Sequence, residues 1–209
     1  MRLTLVRHGQ TAWNTAGLAQ GHTDIELDAD GHRQAQLLAR RLLEHPIDAV
    51  LSSDLVRCRQ TLAPFLDRRE LTVAFTPGLR ERSFGQMEGT DYAELHAWMQ
   101  AEATRLGCSL RAVRPPDGES VQEVWERLAP FEEALRETPK DTLVVSHGGS
   151  LAQLLARLLR GSEETPRAFR FGNCSVTTLH RRADGTFLLE SFNDSRHLET
   201  VLEDPAMAR

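Results

Sequence analysis

Two short apolar runs, residues 3–6 (Leu-Thr-Leu-Val) and residues 142–145 (Thr-Leu-Val-Val), each lead into a basic or polar residue, a histidine and a glycine: Arg7-His8-Gly9 and Ser146-His147-Gly148-Gly149. Each run is rich in β-branched or aliphatic residues and stopped by glycine, the pattern of a buried strand. Buried strands that alternate with helical segments lie parallel in an α/β sheet, and ligands bind in the crevice at their carboxyl ends. The pairing therefore predicts that two imidazoles from opposite ends of the chain meet in one cleft. A third junction joins them: residues 48–52 read as another buried strand, and Ser53-Asp54-Leu55-Val56-Arg57 opens a helix with Asp54 as its expected N-cap. A helix amino end with a guanidinium in its first turn is matched to phosphate oxygens, so Arg7, Arg57, His8 and His147 are expected to form a cage for a phosphate.

The remaining pattern is that of one domain. A chain of 209 residues is large enough to bury a full core. Residues 9–27 form a long polar segment, expected to be a binding loop. Asp28 caps a helix to about Glu44 with Ala35, Leu38 and Leu42 on one face, and Pro46 stops it. The helix from Asp54 is expected to end near Pro64, and a short strand follows at about 71–75. Residues 89–114 are helical but irregular, which suggests a helical flap inserted over about 86–116. Ser120 and Glu123 form a capping box for a helix whose core face is Val121, Val124, Leu128, Phe131 and Leu135, with a kink at Pro130. After the second histidine a Leu-rich helix ends at Gly161, its expected C-cap, and Asp184-Gly185 joins the strands of a closing hairpin. Residues 199–209 read as a frayed tail. The fold class expected is α/β: a three-layer sandwich with a mostly parallel sheet, helices on both faces and a helical flap insertion, all within a single domain over 1–209.

Composition narrows the partners. A net charge of −5 argues against nucleic acid, which calls for a basic face. The three cysteines, Cys58, Cys108 and Cys174, lack any CxxC spacing and read as small hydrophobes, so neither a disulfide framework nor a zinc site is expected. The other histidines, His22, His32, His45, His96, His180 and His197, show no metal-ligand spacing and read as surface or structural. No leader pattern and no apolar run near ~20 residues is found, so no membrane partner and a cytoplasmic location are expected. Oligomeric state is not readable.

Four ordered stretches carry a resemblance: RHGQTAWN at 7–14, SSDLVRCRQT at 52–61, LRERSFGQMEG at 79–89 and SHGG at 146–149. Together they resemble the histidine phosphatase superfamily, the phosphoglycerate mutase-like enzymes. The resemblance implies that His8 is the nucleophile that becomes phosphorylated, a choice between His8 and His147 that symmetry alone does not make. It assigns Glu81 as the carboxylate that protonates the leaving oxygen and then activates water, with Glu88 as the nearest rival and an ordinary ion pair with Arg80 or Arg82 as the bland alternative. His147 is expected to be a protonated or donating partner to the phosphoryl oxygens, alongside Arg7 and Arg57. Asn14, Thr11, Gln20, Gly21 and Gly148 are candidate substrate contacts; the loop residues among them are otherwise ordinary turn residues. Asn193, Asp194, His197 and Leu198 resemble the closing segment of the family, a packing element. Arg111 and Arg114 in the flap are candidates for a second substrate anion, or else solvated charges.

Three activities are then compatible. A phosphatase would release inorganic phosphate from a small phosphorylated metabolite. A mutase would return the phosphoryl group to another hydroxyl and need 2,3-bisphosphoglycerate as primer. A non-catalytic module would bind phosphate on the same fold. The segment after Glu81 resembles the phosphatase branch, which is the reading expected. No metal or organic cofactor is implied, since two arginines and two histidines supply the positive charge.

Overall fold

Strand β1 (Arg2–Arg7) alternates Leu3 and Leu5 on one face with Thr4 and Val6 on the other, and all four are buried, as expected for a strand covered on both sides. The computed structural model describes residues 1–199; the tail expected beyond lies, over 200–209, outside the described residues. After β1 come the short helix α1 (Ala12–Thr15), α2 (Ala29–Leu43), β2 (Ala49–Ser53), α3 (Val56–Leu66) and β3 (Val73–Thr76). Then follow α4 (Tyr92–Leu106), α5 (Val121–Arg127), α6 (Ala129–Glu137), β4 (Thr142–Ser146) and α7 (Gly148–Leu158). The hairpin β5 (Val176–Arg181) and β6 (Phe187–Asp194) and the short α8 (Arg196–Glu199) close the described chain.

One six-stranded sheet runs in the order β3-β2-β4-β1-β5-β6. The first four strands are mutually parallel, while β5 and β6 are antiparallel, so the sheet is mostly parallel with an antiparallel edge. Helices cover both faces and divide the core. On one side Leu3, Leu5 and Val144 meet Val124, Leu128, Leu151, Leu154 and Leu155 of α5 to α7. On the other Val6, Leu143 and Val145 meet Leu38, Leu42, Cys58, Leu62 and Phe65 of α2 and α3. A third, smaller cluster of Leu95, Met99 and Val113 with Ala19 and Phe84 seats α4 against the loop that follows β1. Main-chain bonds fasten that seat: Ala19 N–H donates to Thr90, Gly89 N–H to Ala19, and Tyr92 N–H to Gly17. Among the described residues, no helix is long and apolar enough to cross a membrane.

Several local expectations are corrected. Asp54 does not cap α3. Its carboxylate is held by Arg80 through paired bonds of 2.7 Å, and the helix begins after Leu55, with the Val56 N–H satisfied by Asp24 at 2.7 Å. The helix also runs past Pro64 to Leu66, because a proline near the last turn removes only one bond. The helix expected to kink at Pro130 is two helices that share Leu128 as a cap, with Pro130 in the first turn of α6, where a missing N–H costs nothing. At the end of α7 the left-handed residue is Arg160 (φ 58°), not Gly161, whose N–H returns to Ala156 at 2.8 Å.

Candidate active site

The register of β1 against β4 builds the site. Arg7 lies opposite Ser146, so His8 and His147 leave adjacent, parallel strand ends, and the His8 N–H donates to the Ser146 carbonyl at 3.0 Å. The imidazole centroids are 5.1 Å apart, with the rings tilted by 58°. Both side chains are buried. His8 Nδ1 donates to the carbonyl of Gly9 at 2.7 Å, which leaves the lone pair on Nε2. The Gly9 turn is pinned from α3: its N–H donates to Thr61 Oγ1 at 2.8 Å, and that hydroxyl donates to the Arg57 carbonyl at 2.6 Å.

Arg57, fully buried in the first turn of α3, is the hub. Its Nε–H donates to His147 Nδ1 at 3.2 Å, Nη1 to the Thr23 carbonyl at 2.9 Å and Nη2 to the Gly21 carbonyl at 2.8 Å. Of the five N–H donors of a guanidinium, the two second hydrogens of its Nη atoms remain for an anion. Arg7 donates Nη1 to the Phe171 carbonyl at 2.7 Å, and its Nε is buried without a partner. Burial, then the Arg57 and Arg7 guanidiniums, push His8 well below the usual imidazole range, and the Gly9 carbonyl offsets only part of this. The same holds for His147, where burial acts first, followed by Arg57, His8 and Arg7. Both rings are therefore neutral.

Of the two states expected for His147, protonated or donating, the hydrogen bonds fit the neutral donor. Its Nδ1 accepts from Arg57, so its proton sits on Nε2, 2.8 Å from Ser53 Oγ. The ring is a neutral link between Arg57 and Ser53 rather than an imidazolium, because burial and a third positive charge beside two guanidiniums disfavour the charged form.

Glu81 reaches the amino end of α7. Its Oε2 accepts the Gly149 N–H at 2.9 Å, and its Oε1 accepts the Ser150 N–H at 3.0 Å and the Arg82 N–H at 3.1 Å, while the Ser150 hydroxyl donates to the Arg80 carbonyl at 2.6 Å. The free N–H groups of that helix end hold the side chain in place. A Cβ on Gly149 would sit 2.6 Å from Glu81 Oε1, which explains why a second glycine follows His147. The ion pairs offered as the bland role of Glu81 are absent: Arg80 pairs with Asp54, and Arg82 turns to the carbonyls of Glu119 and Val113.

Glu88, the rival, is not in the cleft lining. It accepts the N–H groups of His22, Thr23 and Phe84 and the Thr23 hydroxyl, fastening residues 22–23 to residues 84–88. Burial alone would raise its carboxyl; the hydrogen bonds from Thr23, His22 and Phe84 outweigh that and hold it below the usual range.

The cleft itself is a small cavity of about 70 Å³ that brings Arg7, His8, Arg57, Glu81 and His147 together. Asn14, Gln20 and Gly21 also line it. Asn14 Oδ1 accepts from Thr11 and from Asn173 Nδ2, so its own amide N–H groups are what remain for a ligand. Gln20 is buried with Oε1 unpartnered. Gly21 serves through its carbonyl, as an anchor for Arg57. Thr11 is not among the lining residues: its hydroxyl and Asn14 cap α1 reciprocally. Gly148 starts α7 beside Arg7 and is not in the lining either. Arg111 and Arg114 are spent elsewhere, Arg111 on Glu163 and Arg114 on Gly118 and Glu123.

Three lining residues escaped the sequence reading: Leu18, Phe84 and Tyr92. Phe84 lies inside a motif already singled out; nothing local marks Leu18 or Tyr92. Phe84 and Tyr92 meet edge to face at 5.8 Å. Tyr92 is 55% exposed, yet burial at its hydroxyl, with Glu81 adding, pushes the phenol up to about 12, as for a rim residue whose ring is outside and whose hydroxyl is inside. Cys58 is an inert neighbour, its thiol pushed up to about 12 by burial. A larger open depression of about 640 Å³ lies at the other end of β1, beside the β5–β6 turn, and is lined by Arg136, Arg181 and Asp184 without histidine or nucleophile.

The chain matches the model of the histidine phosphatase superfamily (branch 1) over residues 3–195. It is 34% identical over 206 residues to a probable phosphoglycerate mutase of Yersinia pestis, covering 95% of each chain. Among solved structures it is similar to a putative alpha-ribazole-5'-P phosphatase of Escherichia coli, with a TM-score of 0.83 and 32% identity over 93% of this chain and 96% of that one. A mycobacterial glucosyl-3-phosphoglycerate phosphatase follows with a TM-score of 0.78 and 31% identity, over 93% of this chain and 99% of that one. With adjacent strand ends holding His8 and His147 and a match that spans nearly all of its length, this chain belongs to branch 1 of the histidine phosphatase superfamily.

Proposed function

We propose that the protein is a phosphatase that hydrolyses small-molecule phosphate monoesters through a phosphohistidine on His8. The observation that carries this reading is the state of His8: a ring kept neutral by burial, oriented by its Nδ1 bond to Gly9, with the Nε2 lone pair left free in a cleft that Arg7 and Arg57 also line. Nε2 attacks phosphorus, and Glu81 gives a proton to the departing alcohol oxygen. Glu81 then takes a proton from water, whose oxygen attacks the phosphohistidine and releases inorganic phosphate with His8 restored. Arg7 and Arg57 neutralise the phosphoryl oxygens in both steps, so the reaction is proposed to need no metal.

The rival is a mutase, favoured by the name of the Yersinia relative. Charge counts against it. The cations that line the cleft are Arg7 and Arg57, both beside the histidines; Glu81 is its carboxylate, and the remaining walls are Gly21 and the neutral Asn14, Gln20, Leu18, Phe84 and Tyr92. A phosphoglycerate brings a carboxylate as well as a phosphate, and a bisphosphate primer brings a second phosphate. Apart from the Asn14 amide, either extra anion would face Glu81 and neutral or apolar groups, which offset little of the cost of its desolvation. The substrate we favour is therefore a monoester whose alcohol part is uncharged.

Phosphate release from a panel of phosphomonoesters, run beside interconversion of 3- and 2-phosphoglycerate with 2,3-bisphosphoglycerate present, tests the assignment. Hydrolysis of esters of neutral alcohols is expected to exceed mutase turnover and to survive chelators. His8→Ala is expected to lose about a thousandfold or more in kcat. Mutase turnover above hydrolysis would reverse the reading, unchanged hydrolysis by His8→Ala would reject the mechanism, and no turnover of any ester by the wild type would leave a module that merely binds phosphate.

A further inference from the structure

The segment that carries Glu81 has no regular structure to hold it. Between the 3-10 turn at Pro77–Leu79 and the next at Gly85–Met87, residues 80–84 belong to no helix or strand, so no ladder satisfies their carbonyls. Groups from other elements do so instead: the Ser150 hydroxyl donates to the Arg80 carbonyl at 2.6 Å, the Glu119 N–H to the Ser83 carbonyl at 2.9 Å, and one guanidinium spans several. Arg127, the last residue of α5, donates Nη1 to the Gly78 carbonyl at 2.7 Å and both Nη atoms to the Arg80 carbonyl at 3.2 Å, and Nη2 reaches the Glu81 carbonyl at 3.3 Å. The same guanidinium is held by Glu119, with Nε to Oε1 at 2.9 Å and Nη2 to Oε2 at 3.2 Å. Glu119 grips the segment directly as well: its Oε2 accepts the Ser83 N–H at 2.9 Å, and its carbonyl accepts Arg82 Nε at 2.7 Å. His22 adds an Nε2 bond to the Glu81 carbonyl at 2.8 Å and lies 3.7 Å from Glu119 Oε2.

We infer that Glu119 and Arg127 are positioning residues for Glu81: they fix the main chain under the carboxylate and so set the proton-transfer step, without touching the phosphate. The inference rests on the role of Glu81 given under Proposed function. Neither residue lines the cleft, so phosphate affinity is not theirs to change. Proton transfer is steeply sensitive to placement, and a displacement on the order of 1 Å costs about a hundredfold. A fork is also required, because only a guanidinium can reach three carbonyls and a carboxylate at once.

The test compares kcat/KM for an alkyl phosphate, whose alcohol must be protonated as it leaves, with that for 4-nitrophenyl phosphate, whose phenolate leaves unaided. This ratio reports the steps through departure of the alcohol and is untouched by later hydrolysis of the phosphohistidine. Arg127→Gln and Glu119→Gln are expected to lose about tenfold to a hundredfold on the alkyl ester and about threefold or less on the nitrophenyl ester, with the inhibition constant of inorganic phosphate unchanged. Arg127→Lys, which keeps the pair with Glu119 but not the fork, is expected to fall between wild type and Arg127→Gln. Glu119→Gln preserves volume, so it stands if Arg127→Gln fails to fold. Equal losses on both esters, or none, would overturn the inference. Glu81→Gln run on the same pair separates the two failures. If Glu81→Gln is selective for the alkyl ester and the other variants are not, the positioning inference alone is wrong. If Glu81→Gln is not selective, the acid–base assignment fails and the positioning role falls with it.

Discussion

Two carboxylates seven positions apart in one loop are sorted into different duties by their hydrogen-bond partners. Glu81 accepts from the amino end of α7 and faces the cleft; Glu88 is enclosed by donors from residues 22, 23 and 84 and faces none of it. The second arrangement is structural, because each of those donors would be left without a partner if the carboxylate were removed. Glu88→Gln, which keeps one acceptor, is expected to destabilise the protein by about 2–3 kcal/mol and to lower Tm by roughly 5–10 °C. Its kcat, measured well below the melting range, should stay within about threefold of wild type. A loss of a hundredfold or more in the folded variant would return Glu88 to the chemistry.

At the scale of the element, α7 does two things with one amino end. Its N-cap position is His147, and its first N–H groups bind Glu81, so one helix sets the distance between the second imidazole and the proposed acid and base. Gly149 is where this is tightest. Alanine is the better helix former, by about 0.5–1 kcal/mol, yet its Cβ would stand 2.6 Å from Glu81 Oε1. Gly149→Ala is therefore expected to leave Tm unchanged or raise it slightly while kcat falls by about tenfold to a hundredfold. Thermal melts and steady-state rates on the same sample check the split; parallel losses in both would mean that the substitution unfolds the helix instead. The short α3 obeys the opposite rule, since Asp24 in a distant loop satisfies its first N–H and leaves Asp54 to pair with Arg80.

The whole molecule buries His8, Arg57 and His147 at the carboxyl edge of a sheet packed on both faces, which affects stability. His8 and His147 are held neutral when folded, while in the unfolded chain each titrates near pH 6.5. Their folded values lie below the unfolded one, so between the two the unfolded state binds more protons and stability falls as pH falls. The slope reaches about 1.4 kcal/mol per pH unit for each histidine. His45 and His197 are lowered too and act in the same direction. Carboxylates held low by arginine, such as Asp54 and Asp194, contribute only at more acid pH, below about 4. Denaturant titrations of the unliganded protein are expected to show falling stability from pH 6.5 to 5, and His147→Asn is expected to flatten that slope by about one proton. A flat profile in the wild type would contradict the neutral, buried state of both rings.

Periodicity and local punctuation determined much by themselves. The alternation in β1, the aliphatic run of β4, the Asp28 cap, the Ser120 box and the Asp-Gly hairpin turn are all short-range effects, and each is where the sequence places it. Arg7, His8, Arg57, Glu81 and His147 were also legible, since they fall in ordered motifs at strand ends and a helix start. Other features depend on groups distant in sequence and could be decided only in three dimensions. Whether Asp54 caps a helix or pairs with Arg80 turns on a residue 26 positions away. The proton on His147 is set by Arg57 and Ser53, 90 and 94 positions away. Leu18 and Tyr92 join the cleft because main-chain bonds bring residues 17–19 to 89–92. Arg127 and Glu119 have no motif at all, because a side chain that satisfies irregular backbone needs only reach and charge, and neither leaves a period in the sequence.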